Sequence, residues 1–406
     1  MKSIKQNIFI YRIAQFASWI VSTFIFRRKI IRNEIKNKQG PFVIIANHQA
    51  ALDFVNLIGI TKTPMTFVIS NSFYNSLPIK GIISKIGVIP KQQFQTTVKD
   101  MKKMKSVIDS GNPLVIYPAG LMCEDGLSTP IPVATYKFLK WLGADVYVAR
   151  TYGTYFSMPK WSKGLRVGKT ELDVYKLFSK DELLSLDVPQ IKEDVQNTIL
   201  FDAYKEQEGR RFKYSKGDNI EGLQHVLYMC PHCKKEFAIN IKNKNTLFCK
   251  NCGYEQCSDR FGFLHKTSQT GEEIRYVSDW SRLIYNDLKN RVINGDEREL
   301  SSYATIRMID YSKNKFVDVG EAQITLQKGR FIIKGFINGQ EKEIIVPTVN
   351  FASLPFSPGK YFEIQCGEDI YRCVLGDGRL VMKFINMVKI FYELQQNKIA
   401  LLDNQK

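Results

Sequence analysis

Cysteine is scarce in this sequence, with 8 residues in a chain of 406. This low content excludes a small disulfide-stabilised scaffold. Four of the cysteines form two C-x-x-C pairs, which indicates a reducing compartment, either the cytosol or a cytosol-facing membrane surface. The composition, 44% hydrophobic and 24% charged, also excludes a wholly disordered or collagen-like chain.

Acidic residues are also few relative to basic ones. The 58 Lys and Arg exceed the 40 Asp and Glu, which leaves a formal net charge of +18. This excess predicts attraction to a polyanion, whether nucleic acid, anionic lipid or a phosphorylated substrate. The length predicts two or three domains rather than one.

The sequence has no uninterrupted apolar run long enough to cross a bilayer, and the nearest approach is residues 7–26, which Arg12 and Gln15 interrupt. No small-residue cleavage pattern follows, so we do not expect a removed signal peptide. Residues 1–40 contain nine Lys or Arg and only one Glu. We therefore predict an N-terminal membrane helix at 1–40 that lies on an anionic surface rather than spanning the bilayer. The alternative is an amphipathic helix packed against the next domain or a partner.

A histidine and a carboxylate follow the first buried strand pattern, FVIIA at 42–46. His48 lies just after this strand and Asp53 lies at the expected start of a helix. In this arrangement Asp53 can accept from Nδ1 of His48 and leave Nε2 basic. Further strand and helix patterns alternate up to about residue 215, which predicts an α/β core with ligands at the strand carboxyl ends.

Four segments occur in an order that resembles the glycerolipid acyltransferase family, which includes the 1-acylglycerol-3-phosphate acyltransferases. They are NHQAALD (47–53), KIGVIPK (85–91), VIYPAGLMCEDG (115–126) and ADVYVARTYGTYFSMPKW (144–161). The segment KLFSKDELLSL (176–186) resembles the family's terminal strand and helix. The resemblance implies an acyltransferase domain at 41–215, with His48 and Asp53 as catalytic residues. It also implies four substrate-binding residues: Asn47, Lys91, Pro118 and Gly120.

One family motif has lost its Glu and its Arg in this sequence. Where the family has P-E-G-T-R, this chain has Pro118-Ala-Gly-Leu-Met122, so the Arg linked to the acceptor phosphate is absent. Lys91 is the nearest replacement cation, and the alternatives are Lys137, Lys140 and Arg150. Two acids are candidates to replace the missing Glu, namely Glu124 and Asp125.

Another motif consists of two C-x2-C pairs, at 230–233 and at 249–252, which fifteen residues separate. This spacing is typical of a closed tetrahedral zinc site, which is structural because no coordination position remains for substrate. We predict a zinc ribbon at 225–262 with Zn²⁺ bound by Cys230, Cys233, Cys249 and Cys252. A pair of disulfides is the alternative.

The C-terminal part, 300–400, contains six strand patterns and a final helix pattern. Asn338-Gly339 indicates a tight hairpin between two of the strands. Several antiparallel strands followed by one helix resemble the pleckstrin-homology-like (PH-like) superfold, which carries no functional motif here. We predict a regulatory or docking module.

Together these features predict a membrane-associated O-acyltransferase at the cytoplasmic face of the membrane. Its acyl donor would be acyl-CoA or acyl-carrier protein, and its acceptor the hydroxyl of a lysophospholipid such as 1-acylglycerol 3-phosphate. The alternatives are an inactive lipid-binding scaffold, favoured by the missing Glu and Arg, and a nucleic-acid-binding protein, favoured by the zinc ribbon and the positive charge. We do not expect nucleic acid as the partner, because the basic excess is concentrated at the amino terminus.

Overall fold

The computed structural model describes residues 6–77, 80–91, 97–349 and 351–403. The chain clusters into two compact units. Unit 1 comprises residues 1–160, 164–217 and 260–262, and unit 2 comprises 161–163, 218–259 and 263–406. The four-part division expected from the sequence stays a prediction.

The described strands of unit 1 form one seven-stranded sheet. In chain order they are β1 (Arg28–Asn33), β2 (Phe42–Ala46), β3 (Thr66–Ser70), β4 (Val88–Lys91), β5 (Leu114–Ile116), β6 (Asp145–Tyr152) and β7 (Thr170–Phe178). Their order in the sheet is β1-β7-β6-β2-β5-β3-β4. Only the β6–β7 pairing is antiparallel, and all other neighbours are parallel. The predicted α/β core is therefore confirmed.

Helices precede, connect and follow these strands. They are α1 (Ile8–Phe24), α2 (Asp53–Leu57), α3 (Asn71–Ser76), α4 (Lys80–Ile83), α5 (Val98–Asp109), α6 (Val133–Leu142), α7 (Thr154–Ser157), α8 (Lys180–Ser185), α9 (Val188–Ile199) and α10 (Ala203–Arg210), with a 3₁₀ turn at Ser84–Ile86. Capping boxes fix the starts of α5, α8 and α9, where Thr97, Ser179 and Asp187 accept from the third helical N–H.

Both faces of the central strand β2 are buried, which explains its wholly apolar sequence. Val43 and Ile45 pack with α5, α6 and α9, whereas Phe42, Ile44 and Ala46 pack with residues of α1 and α2. A parallel strand covered on both faces has no solvent side and reads as a continuous apolar run. Polar residues are therefore placed beyond its carboxyl end.

Helix α1 packs on unit 1 through its small and polar residues and exposes its large apolar ones. Its buried residues are Tyr11, Ser18 and Ser22. The Ser22 hydroxyl donates to the carbonyl of Val55 at 3.2 Å, and the Gln15 amide donates to the carbonyl of Ile58 at 3.2 Å. The exposed large side chains are Ile8, Phe9, Ile13, Phe16, Trp19, Ile20 and Phe24. None of the described helices combines the length and the apolar character needed to cross a membrane.

The basic segment after α1 contains a strand, β1, that its sequence pattern does not predict. β1 pairs in parallel with β7, and Arg28 lies opposite Thr170. Four of its six residues are exposed, as expected for an edge strand. Because its cations interrupt any apolar alternation, the period-2 signal of a strand is missing here.

The described part of unit 2 contains two sheets and two helices. The smaller sheet consists of β8 (Ile239–Lys242), β9 (Thr246–Cys249), β10 (Glu255–Ser258) and β11 (Leu264–Lys266), in the order β11-β10-β9-β8. A 3₁₀ turn at Leu223–His225 precedes it, and α11 (Val277–Asn294) follows. β8 lies between the two cysteine pairs, and β9 ends at Cys249, the first cysteine of the second pair.

The larger sheet is antiparallel throughout. Its strands are β12 (Glu299–Asp310), β13 (Lys315–Gln327), β14 (Arg330–Ile337), β15 (Gln340–Pro347), β16 (Phe356–Ser357), β17 (Tyr361–Cys366) and β18 (Asp369–Leu375), followed by α12 (Leu380–Asp403). Their order is β15-β14-β13-β12-β18-β17-β16. Asn338 and Gly339 both have positive φ and join β14 to β15, so the predicted hairpin is confirmed. The β-rich region is thus present, and its assignment to the PH-like superfold stays a prediction.

Candidate active site and candidate metal centre

The predicted site residues of unit 1 lie at one edge of its sheet. His48 follows β2, Pro118 and Gly120 follow β5, and Lys91 is the last residue of β4. Because β2, β5, β3 and β4 are parallel, their carboxyl ends meet at the same edge. Ligands bind at this edge in open α/β sheets.

His48 and Asp53 form a hydrogen-bonded pair. His48 Nδ1 lies 3.0 Å from Asp53 Oδ2, which also accepts from the backbone N–H of Gln49 at 2.6 Å and of Ala50 at 2.9 Å. A carboxylate with these donors is an acceptor, so Nδ1 carries the proton and Nε2 is the basic nitrogen. The His48 side chain is 21% exposed, and Nε2 makes no hydrogen bond to the described residues. The pair can therefore take a proton from a bound hydroxyl.

Asn47 anchors the loop that carries His48. Its amide oxygen accepts from the backbone N–H and the hydroxyl of Thr151, at 2.8 and 3.0 Å, and its amide nitrogen donates to the Thr151 carbonyl at 2.8 Å. These bonds tie the end of β2 to the end of β6. The structure thus gives Asn47 a positioning contact, and a contact between its side chain and substrate stays a prediction.

Gln49 and Tyr117 belong to the site but were not singled out from the sequence. Gln49 Oε1 accepts from the Thr154 hydroxyl at 3.0 Å and from the Tyr155 N–H at 3.1 Å, which holds the loop against α7. The Tyr117 ring lies 4.5 Å from the His48 ring, centroid to centroid. Burial, together with the negative charge of Asp53, holds the pKa of Tyr117 well above its ordinary value. The only sequence signal for Tyr117 was its place directly after β5.

Pro118 and Gly120 form a turn with Tyr117. The Gly120 N–H donates to the Tyr117 carbonyl at 3.0 Å, and Gly120 has a φ of +68°, which favours glycine. Pro118 is buried and Gly120 is exposed. Glu124 and Asp125, a few residues further on, are both buried. That Glu124 or Asp125 replaces the Glu of the family's P-E-G-T-R motif stays a prediction.

The cations considered as replacements for the family's phosphate-linked Arg differ in their hydrogen-bond and ion-pair partners. Arg150 pairs with Glu206 at 2.6 Å, and Lys140 donates to the Leu186 carbonyl, so both have structural partners. Lys137 is exposed on α6. Lys91 is half-buried at the sheet edge, and burial lowers its pKa against the opposing effect of Asp100. Lys91 is the last residue of β4, and its role in substrate binding stays a prediction.

The four cysteines of the C-x-x-C pairs come together in unit 2. The Sγ atoms of Cys230, Cys233, Cys249 and Cys252 all lie within 4.8 Å of one another. Cys230 Sγ is 3.7 Å from Cys252 Sγ, and Cys233 Sγ is 3.7 Å from Cys249 Sγ. None of these cysteines is in a disulfide.

This donor set fits a tetrahedral zinc ion. A Zn–S bond of about 2.3 Å implies S···S separations of about 3.8 Å at tetrahedral angles. The two separations of 3.7 Å agree with that value. Gly253 has a φ of +73° directly after the second pair, which lets the backbone turn around the site.

The fold and the site of unit 1 define an α/β domain with a His–Asp pair at the carboxyl edge of a mainly parallel sheet. Residues 5–150 match the family model described as Acyltransferase, so this segment is an acyltransferase domain. No curated protein matches the sequence.

Several solved structures are similar to parts of the chain, including the following two. The 1-acyl-sn-glycerophosphate (LPA) acyltransferase PlsC from Thermotoga maritima is 16% identical, with 50% of this chain and 78% of that chain covered and a TM-score of 0.40. The Ran-binding domain of the nuclear complex component Nup2 from Ashbya gossypii is 15% identical, with 25% of this chain and 97% of that chain covered and a TM-score of 0.18.

Proposed function

We propose that the protein is a membrane-associated O-acyltransferase. It transfers a fatty acyl group from acyl-CoA or acyl-carrier protein to the hydroxyl of a lysophospholipid such as 1-acylglycerol 3-phosphate. The observation that carries the proposal is the His48–Asp53 hydrogen bond of 3.0 Å within the segment that matches the acyltransferase family.

The pair supports direct acyl transfer. His48 Nε2 accepts the proton of the acceptor hydroxyl as the oxygen attacks the thioester carbonyl carbon. Asp53 stabilises the imidazolium that forms and holds the ring in place. When the tetrahedral intermediate collapses, the C–S bond breaks and His48 returns the proton to the departing thiolate. No covalent intermediate on the enzyme is needed.

Membrane association is supported by the outward-facing apolar side of α1. Its exposed aromatic residues Phe9, Phe16, Trp19 and Phe24 are followed directly by Arg27, Arg28 and Lys29. An apolar helix face bordered by cations suits an anionic membrane surface. We place the protein at the cytoplasmic face of that membrane, in keeping with its reduced cysteines, and assign a structural Zn²⁺ to the four-cysteine cluster.

Acyl transfer by the purified protein in phosphatidylglycerol liposomes tests the proposal. Lysophosphatidic acid and neutral monoacylglycerol are offered as acceptors, with acyl-CoA and acyl-carrier protein as donors. We expect His48→Ala to lower kcat on the order of 100-fold or more, because it removes the general base.

His265→Ala is the matched control, because His265 also forms a His–Asp pair, with Asp259 at 2.9 Å, but in unit 2. This variant should retain wild-type kcat. Absence of transfer by folded, zinc-loaded wild-type protein with every donor and acceptor would contradict the proposal and favour a lipid-binding scaffold.

A further inference from the structure

Arg28 is a half-buried arginine without a carboxylate partner in the described part of the chain. Its Nη1 donates to the backbone oxygen of Asn56 at 2.5 Å, which is its one hydrogen bond to those residues. Burial lowers the pKa of Arg28, yet a guanidinium remains charged at neutral pH. By contrast, Arg32, Arg150 and Arg210 of unit 1 each pair with an acid. A partly desolvated cation without a counter-ion favours a bound anion, so an anion is favoured at Arg28.

Asn56, the residue that Arg28 contacts, has an unsatisfied side chain. It is 1% exposed, and neither its amide oxygen nor its amide nitrogen has a partner among the described residues. Buried amides without partners are rare and call for an explanation. Asn56 lies three residues after Asp53 in α2, so both side chains are on the same side of that helix. Arg28 is thereby connected to the helix that begins with the orienting carboxylate.

The sheet register places Arg28 at the active-site edge. Arg28 lies opposite Thr170 at the start of β7, and the next residue, Glu171, lies opposite Tyr152 at the end of β6. β6 runs parallel to β2, the strand that His48 follows. Arg28 also lies four residues after the end of α1, whose apolar side is exposed. A lipid with its chain along α1 would have its headgroup near this position.

A role in capping the end of α2 accounts for only part of the hydrogen-bonding capacity of Arg28. A cation near a helix C-terminus is favourable, and Nη1 satisfies one carbonyl there. The guanidinium has five N–H donors in a planar fork that matches phosphate, so most of its capacity remains.

We propose that Arg28 binds the phosphate of a lipid headgroup at the same edge of the sheet as the His48–Asp53 site. The inference rests on the proposed function, because it takes the substrate to be a phospholipid-type acceptor at a membrane. It also gives the acceptor phosphate a cation in a chain that has Met122 where the family has an arginine.

Arg28→Gln and Arg27→Gln provide a matched pair, since they remove the same charge from adjacent residues and Arg27 is exposed without an ion pair to the described residues. We expect Arg28→Gln to raise KM for lysophosphatidic acid roughly 10-fold relative to Arg27→Gln, because a charge-assisted bidentate contact is lost. KM for monoacylglycerol, which has no phosphate, should not change. This result identifies the acceptor as the source of the phosphate.

Two further measurements separate the remaining sources. Weaker sedimentation of Arg28→Gln than of Arg27→Gln with phosphatidylglycerol vesicles, at unchanged KM, identifies a bilayer lipid as the source. Calorimetric titration with glycerol 3-phosphate tests the site without turnover, so weaker binding by Arg28→Gln alone supports it even if the wild type transfers no acyl group. Arg28→Lys, which keeps the charge and the cap, replaces the Gln variant if that variant does not fold. Equal behaviour of the Arg28 and Arg27 variants in all three measurements overturns the inference.

Discussion

Tyr117 combines a ring contact to His48 with a buried hydroxyl that has no hydrogen-bond partner among the described residues. An unsatisfied buried hydroxyl costs about 1–3 kcal/mol. Tyr117→Phe keeps the ring and removes the unsatisfied group, so we expect it to raise the free energy of unfolding by about 1 kcal/mol. Urea denaturation of the wild type and the variant measures this change.

Tyr155→Phe serves as the comparison, because the Tyr155 hydroxyl lies 3.4 Å from both the Glu124 carbonyl and the Tyr204 hydroxyl. Its removal should lower the free energy of unfolding by about 1 kcal/mol. A loss of stability in Tyr117→Phe of similar size to that in Tyr155→Phe would mean that the Tyr117 hydroxyl is hydrogen-bonded in solution.

The His48–Asp53 contact could be predicted from sequence because both residues lie within a single strand-to-helix connection. Asp53 begins α2, as the five-residue spacing requires. Gln49 and Tyr117 could not be predicted in the same way. Their contacts join the ends of β2, β5 and β6, which are far apart in the chain. The sequence patterns fix where these strands end but not which strands become neighbours.

The exposed aromatic side chains of α1 predict that this helix binds to membranes. Phe16 is 63% exposed on α1, and Phe336 is 61% exposed on β14 of unit 2. Phe16→Ser should weaken binding to phosphatidylglycerol vesicles about 10-fold or more, since burying a Phe side chain contributes about 1.5–3 kcal/mol. Phe336→Ser removes an equally exposed ring and should leave vesicle binding unchanged. Co-sedimentation measures both, and equal effects of the two substitutions would contradict a membrane-facing role of α1.

The sequence predicts a helix whose apolar side faces a membrane surface, but it does not predict the contacts that hold the opposite side of α1 on unit 1. Here Gln15 and Ser22 hydrogen-bond to the carbonyls of Ile58 and Val55, and these contacts turn the apolar side outward. β1 was missed for a related reason. Its pairing with β7 depends on residues about 140 positions away, and its edge position tolerates cations that hide the strand pattern.

In unit 2, the segment that carries the first cysteine pair contacts the two helices α11 and α12. Near the first cysteine pair, the Trp280 indole of α11 donates to the Met229 carbonyl at 2.9 Å and is fully buried. Glu236 pairs with Arg291 of α11 at 2.5 Å and with Lys383 of α12 at 2.8 Å. The segment that carries the first cysteine pair is therefore held by both helices of the described part of unit 2.

These contacts imply that metal loss destabilises all of unit 2 rather than the cysteine cluster alone. We expect one zinc ion per chain in the wild type. Cys233→Ser should abolish zinc binding and lower the unfolding midpoint of unit 2 by roughly 10 °C or more, because metal affinity contributes directly to folding. Cys257→Ser, which alters a half-buried cysteine outside the cluster, should keep the zinc ion.

Metal analysis and hydrogen exchange resolved by peptide check this prediction. In Cys233→Ser, amide protection should fall in β12 to β18 and in α12 as well as in β8 to β11, since Glu236 no longer has a fixed position from which to pair with α11 and α12. Loss of protection confined to β8 to β11 would show that the larger sheet is stable without the metal. In that case the ion pairs of Glu236 with Arg291 and Lys383 would contribute little to the stability of unit 2.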